Sequence, residues 1–157
     1  MNHAEQWQLA SRQVKQWRKA GKRIVFTNGC FDLLHPGHID YLNKARDLGD
    51  VLIVGLNDDD SISRLKGDSR PITPLADRSI LLNALKAVDL VVPFSEDTPL
   101  ELIKTLLPDI LIKGGDYSPE TIVGAAEVRE HGGHVSVITF VDGHSTTELI
   151  QRIQRLA

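Results

Sequence analysis

A single cysteine, Cys30, excludes an intrachain disulfide framework and suits a reducing compartment. Long apolar runs are also missing. The longest clean stretch, residues 51–56, falls far short of the roughly 20 residues that a membrane-spanning helix requires. The opening MNHAEQWQLASRQ has no basic segment followed by an apolar one, so no secretory signal is expected and the cytoplasm is the expected location. Surplus positive charge is absent: 18 Lys and Arg stand against 21 Asp and Glu, a net charge of −3. That balance gives no general pull toward nucleic acid or an anionic membrane. An anion site must therefore be built locally, from a few cations and backbone N–H groups. Neither common phosphate loop occurs, since no GxGxxG follows a strand and no GxxxxGKS/T is found.

What is present suits one globular domain: 157 residues, 41% hydrophobic and 25% charged, are enough to bury a core. Trp7, Ala10, Val14 and Trp17 recur at helical spacing and predict an amphipathic helix over 4–20, stopped by Gly21. Its stripe should pack on a core or on a second copy, so a homo-oligomer is expected. Short apolar runs then predict strands at 24–26, 51–56, 88–94, 110–112 and 134–140. Helices are predicted at 37–48, 59–66, 75–87, 120–131 and 146–156. Thr98-Pro99-Leu100-Glu101 has the form of a capping box opening a helix that Pro108 stops. His131-Gly132-Gly133-His134 reads as a helix end with a glycine stop. Strands alternating with helices predict a single-domain, doubly wound, Rossmann-like α/β fold, a five-stranded parallel sheet with helices on both faces. An N-terminal helix, 1–21, would precede the domain proper, 22–157. Ligands in such sheets sit beyond the carboxyl ends of the strands, at the switch point.

The first strand runs directly into Asn28-Gly29-Cys30-Phe31-Asp32-Leu33-Leu34-His35-Pro36-Gly37-His38. Two imidazoles stand three residues apart around a turn, and the second opens a helix. A helix N-terminus offers unpaired N–H groups and partial positive charge, which suit phosphate. Gly37 leaves room for close approach, and both imidazoles can donate hydrogen bonds to a reacting triphosphate. Ser145-x-x-Glu148 is a second capping signature, and capping and phosphate binding can share one helix end. Rival readings of these residues are plain turn formation and capping at His35 and His38, or a zinc site drawn from Cys30, His35 and His38 or from His131 and His134.

GCFDLLHPGH resembles the G-x-F-D-x-x-H-x-G-H signature of the HxGH nucleotidyltransferases, and Ser145-Thr146-Thr147 resembles their second motif at the start of a late helix. Further stretches sharpen the likeness: TNGCFDLLHPGH at 27–38, RLKGDSRPITPLADR at 64–78, IKGGDY at 112–117 and DGHSTTEL at 142–149. Together they are most similar to the adenylyltransferase half of the bifunctional heptose kinase/adenylyltransferases and to its stand-alone form, over about residues 22–155. The resemblance implies transfer of AMP from ATP to D-glycero-β-D-manno-heptose 1-phosphate, giving ADP-heptose and pyrophosphate for lipopolysaccharide core synthesis. It also implies Mg²⁺ arriving with ATP and a separate heptose kinase upstream. Glycerol-phosphate cytidylyltransferases carry an Arg shortly before Gly-x-Ser-Thr-Thr, and residues 139–144 here contain none.

On that resemblance His38 would bind the α-phosphate and His35 the α- or β-phosphate side, with Arg64 and Lys66 neutralising charge. Asn28, Gly29, Cys30, Phe31 and Gly37 would contact the nucleotide along the first turn. Gly114, Gly115 and Asp116 would line the nucleoside pocket, and Ser145, Thr146 and Thr147 would hold the β,γ-phosphates. Asp32, Asn57 and Arg70 would face the sugar phosphate. No protein ligand for a metal is expected. The competing functions are transfer to another small phosphate, such as glycerol 3-phosphate, and a nucleotide-binding regulator without turnover.

Overall fold

A computed structural model describes residues 1–157. Helix α1 (His3–Lys19) leads into strand β1 (Ile24–Gly29), helix α2 (Pro36–Arg46) and strand β2 (Val51–Asn57). Then come α3 (Asp59–Lys66), α4 (Leu75–Asn83), β3 (Leu90–Phe94), α5 (Leu100–Leu106) and β4 (Ile110–Gly114). The chain ends with α6 (Ala125–Glu130), β5 (His134–Ile138) and α7 (Thr146–Leu156). All five strands pair in parallel, in the order β3-β2-β1-β4-β5. The order reverses at β1, so the crevice between the ends of β1 and β4 is the switch point.

The strands look continuously apolar, yet their side chains alternate between two cores. Ile24, Phe26, Ile53 and Leu111 join Ala10 and Val14 of α1, Leu102, Ile103 and Leu106 of α5 and Val128 of α6. Val25, Leu52, Val54, Ile110 and Ile112 join Tyr41, Leu42 and Ala45 of α2 and Leu82 of α4. Helices thus cover both faces, and the doubly wound α/β fold is the one the sequence predicts. The α1 stripe is used within the chain: Ala10 and Val14 are buried, and Trp7 Nε1 donates to the carbonyl of Pro93 at 2.8 Å. Helix α7 buries no residue. No helix is long and apolar enough to cross a membrane.

Three aspartates tie down the amino ends of the strands. Asp50, just before β2, accepts the Arg23 N–H at 2.7 Å. Asp89, just before β3, accepts the Leu52 N–H at 2.8 Å. Asp109, just before β4, accepts the Ile24 N–H at 2.7 Å. Each carboxylate satisfies a backbone donor that the neighbouring ladder leaves over. The opposite, carboxyl ends are left to the loops that build a ligand site.

Three local expectations are corrected. Helix α5 begins with Pro99 at its cap and no side-chain capping bond, because its first intrahelical bond runs from Ile103 N–H to the Pro99 carbonyl. Glu101 instead accepts from Lys104 at 3.0 Å. The helix expected over 120–131 is a short 3₁₀ turn at Pro119–Thr121 followed by α6. Gly124 separates them with φ +86°, and a Cβ there would stand 2.7 Å from Ile103, so the close packing of α5 forces the break. Strand β3 starts at Leu90 and β5 stops at Ile138, each two residues shorter than predicted.

Replacing Asp109 with Ala removes the acceptor that joins β1 to β4 and is expected to cost about 1–3 kcal/mol of stability. Chemical denaturation reads this directly. An unchanged midpoint would show that water satisfies the Ile24 N–H equally well.

Candidate active site

Strand β1 ends in Asn28 and Gly29, and the chain turns sharply through Phe31, whose φ is +46°. A Cβ on Gly29 would stand 2.9 Å from the Phe31 ring, so glycine lets that ring fold back over the strand end. Phe31 is buried in the α2-side core. Pro36 and Gly37 then open α2, with His35 at its N-cap. The two histidines cap one another: His38 N–H donates to His35 Nδ1 at 3.4 Å, and His35 N–H donates to His38 Nδ1 at 3.3 Å. Their rings stack with centroids 3.8 Å apart. An Nδ1 that accepts from an amide carries no proton, so each neutral imidazole holds its proton on Nε2. Capping and donation are therefore one arrangement, with Nδ1 facing the backbone and Nε2–H left for a ligand.

Burial, followed by the positive neighbours His35 and Lys66, pushes the His38 pKa down to about 4. Burial and then His144 depress His35, partly opposed by Glu148. At neutral pH both are uncharged hydrogen-bond donors.

These groups face a cavity of about 790 Å³ over the switch point. Asn28, Gly29, Cys30, Phe31, Asp32, His35, His38, Asn57, Lys66, Arg70, Gly114, Gly115, Ser145, Thr146 and Thr147 all line it. Ser145 caps α7, its Oγ accepting the Glu148 N–H at 3.0 Å, and Thr146 Oγ1 donates to the Leu33 carbonyl at 3.3 Å. The N-termini of α2 and α7 are thereby tied to the same turn, and residues of both line the cavity, where helix N-termini favour anions. Gly114 lies against the Phe140 ring, where any Cβ would collide with it and with Tyr41.

Some expected residues stand elsewhere. Arg64 does not line the cavity: its Nε is 3.0 Å from Asp97, which does, and a terminal nitrogen donates to the Ser95 carbonyl. Asp116 does not line the cavity, and Gly37 lies beside it, where a Cβ would press on His35 and on the His144 Cβ at 3.0 Å. Asp32 lines the cavity, yet its acceptors are occupied by Arg70 Nε at 2.6 Å and by the N–H groups of Ile72 and Thr73. Burial would raise its pKa, but those N–H groups and the Arg70 charge leave it below the ordinary value. Asp32 thus holds Arg70 in place, and Arg70 keeps one buried terminal nitrogen without a partner. Asn57 donates to Ser61 at 3.1 Å. No group of three or more His, Cys, Asp and Glu side chains stands close enough to hold a metal ion.

Three residues that sequence reasoning missed complete the site. Lys113 lines the cavity near Cys30, with its Nζ 5.5 Å from the Tyr117 ring centroid and no carboxylate in contact. Burial lowers its pKa. A lysine closing an otherwise apolar strand was the available signal. His144 lines the cavity beside His35. Arg78 is wholly buried and donates to the carbonyls of Thr73, Cys30 and Asn57 and to Asp59, at 2.7–2.9 Å. A charge within the largely apolar run of α4 was its signal.

Comparison with known proteins gives the family. The sequence is 62% identical over 136 residues to the bifunctional protein HldE of Syntrophotalea carbinolica, covering 87% of this chain and 28% of that one. It is 58% identical over 141 residues to the bifunctional protein HldE of Geotalea uraniireducens, covering 90% and 29%. The chain spans less than a third of the length of these relatives. A solved structure, the lipopolysaccharide core biosynthesis protein from Thermoplasma volcanium, superposes with a TM-score of 0.61 at 31% identity, covering 77% of this chain and 98% of that one. The sequence model of the cytidylyltransferase-like family matches residues 26–152, and the chain belongs to that family.

Proposed function

We propose that this chain is an adenylyltransferase that moves AMP from MgATP to D-glycero-β-D-manno-heptose 1-phosphate. The observation that carries the nucleotidyl transfer is the pair of reciprocally capping histidines, whose Nδ1 atoms are engaged and whose rings line a cavity flanked by two helix N-termini. The acceptor rests on likeness: to proteins called HldE, to a lipopolysaccharide core biosynthesis protein, and to the motif stretches of the heptose adenylyltransferases. A sugar kinase would supply the acceptor, and the reaction belongs in the cytoplasm, where ATP is available. The domain proper is residues 22–157, with α1 as an N-terminal helix laid over the sheet.

A phosphate monoester has a second pKa of about 6, so the acceptor phosphate is largely a dianion at neutral pH and needs no general base. One of its oxygens attacks the α-phosphorus of ATP. The bond from that phosphorus to the oxygen bridging the α- and β-phosphates breaks, and its electron pair leaves on pyrophosphate. Mg²⁺ would be held by the ATP phosphates and water rather than by an all-protein cage, and would supply neutralisation of the triphosphate charge. The protein's work is alignment and charge stabilisation.

His38 Nε2–H donates to an α-phosphate oxygen and His35 Nε2–H to the β side. The N–H groups and hydroxyls of Ser145, Thr146 and Thr147 take the β,γ-phosphates. Lys66 and Lys113 approach from α3 and β4. The unpartnered nitrogen of Arg70 faces the acceptor phosphate, with Asp32 holding the guanidinium and Asn57 beside it. Gly114 and Gly115 admit the nucleoside next to Phe140.

Pyrophosphate release tests the reading. It is expected with ATP and Mg²⁺ only when heptose 1-phosphate is present. Release driven by CTP would move the protein to the cytidylyltransferases, and ATP binding without release on any sugar phosphate would make it a regulator. His38→Ala is expected to lower kcat roughly 100- to 1000-fold, the scale for one donor to a developing oxyanion, with the circular dichroism spectrum unchanged. Near-normal turnover would remove His38 from the mechanism. Lys113→Met is expected to lower kcat/KM about 10- to 100-fold, as loss of a charge-assisted contact does. Unchanged kinetics would leave Lys113 as packing beside Tyr117.

A further inference from the structure

Gly143 has φ +80°, a left-handed turn that delivers His144 to the residue just before Ser145, the cap of α7. The His144 ring lies almost parallel to that of His35, with centroids 6.2 Å apart and an interplanar angle of 17°. His35 in turn stacks on His38. The absence of a side chain at Gly37 is what permits this approach, since a Cβ there would stand 3.0 Å from the His144 Cβ. Three imidazoles thus form one row along the cavity, reaching from the start of α2 to the start of α7.

The members of the row differ. His35 and His38 each commit Nδ1 to a backbone amide. His144 is exposed and forms no hydrogen bond or ion pair with the protein. Both of its ring nitrogens are therefore open to a ligand. The charged and titratable groups around the row are His35 and His38 on α2, Lys66 at the end of α3, Glu148 in the first turn of α7 and Asp142 two residues before His144.

We propose that His144 is a third imidazole donor to the nucleotide, contacting the β,γ-phosphates that leave as pyrophosphate. The inference rests on the reading that the cavity binds a nucleoside triphosphate. A phosphate over the N-terminus of α7 lies beside His144, and its negative charge favours the imidazolium. The protonated ring then adds a charge-assisted hydrogen bond to the helix N–H groups at the point where negative charge accumulates in the transition state. Affinity for the leaving group gains most from this contribution at low pH, where imidazolium forms prevail.

Calorimetric titration with MgATP, magnesium pyrophosphate and AMP at pH 6, 7 and 8 tests this on the full chain. His144→Ala is expected to weaken ATP and pyrophosphate binding about tenfold at pH 6, and less at pH 8, while leaving AMP binding unchanged. His144→Gln, a neutral donor, is expected to match wild type at pH 8 and to lack its tightening at pH 6. The titration of the ligand itself is common to all three proteins and cancels in that comparison. Equal weakening of AMP and ATP would show a structural role and overturn the proposal. Wild-type affinity and pH dependence in His144→Ala would overturn it alone, leaving the triphosphate reading intact. Failure of the wild-type chain to bind either ATP or pyrophosphate would overturn the triphosphate reading and this proposal with it.

Discussion

The mouth of the sheet is organised around one buried charge. Arg78 has no exposed side-chain surface, and its guanidinium reaches the carbonyls at the ends of β1 and β2, the carbonyl of Thr73 and the carboxylate of Asp59. Three chain segments, around residues 30, 57–59 and 73, are fixed to one planar group. A guanidinium suits this task, because its donors spread in a plane and it remains charged. Burying the charge is costly unless its hydrogen bonds are met, and here neutral carbonyls and a single carboxylate meet them. Asp32 repeats the device with opposite sign, gathering N–H groups of the 70–73 loop around a buried carboxylate.

On that frame the catalytic turn needs little further support. Phe31 anchors it in the core, and the two histidines close it by capping each other. Using Nδ1 as the cap selects the tautomer that donates from Nε2, so local structure and chemistry share one set of contacts. Low pKa values follow from burial beside other positive groups and keep the pair neutral before substrate arrives. In the proposed reaction, neutral donors would avoid the cost of desolvating two cations and would gain most as the phosphates acquire charge in the transition state.

Charge is handled in the same local way. The chain is net acidic, but both carboxylates that line the cavity are engaged, Asp32 with Arg70 and Asp97 with Arg64. Lys66 and Lys113 are left facing the cavity without a carboxylate in contact. An electropositive pocket is thereby obtained by pairing carboxylates away, with no basic surface. The three aspartates at the opposite ends of the strands are likewise spent on backbone donors.

The sequence by itself determined the sheet, because apolar runs separated by helical periodicity and glycine stops have one economical arrangement. It also determined the histidine turn and the Ser-Thr-Thr cap, since both depend on contacts within a few residues. It misjudged the cap of α5 and the helix before α6, where packing between α5 and Gly124 overrides local pattern. Only the tertiary structure decided which distant residues meet. Arg64 has the composition of a phosphate ligand, yet a carboxylate 33 residues away claims it. Lys113 and His144 carry little signal in sequence, and they reach the cavity because parallel pairing sets the end of β4 beside β1 and because Gly143 and Gly37 let α7 approach α2. Local chemistry is written in neighbouring residues, whereas the sharing of charge among strands and loops depends on distances that exist only after folding.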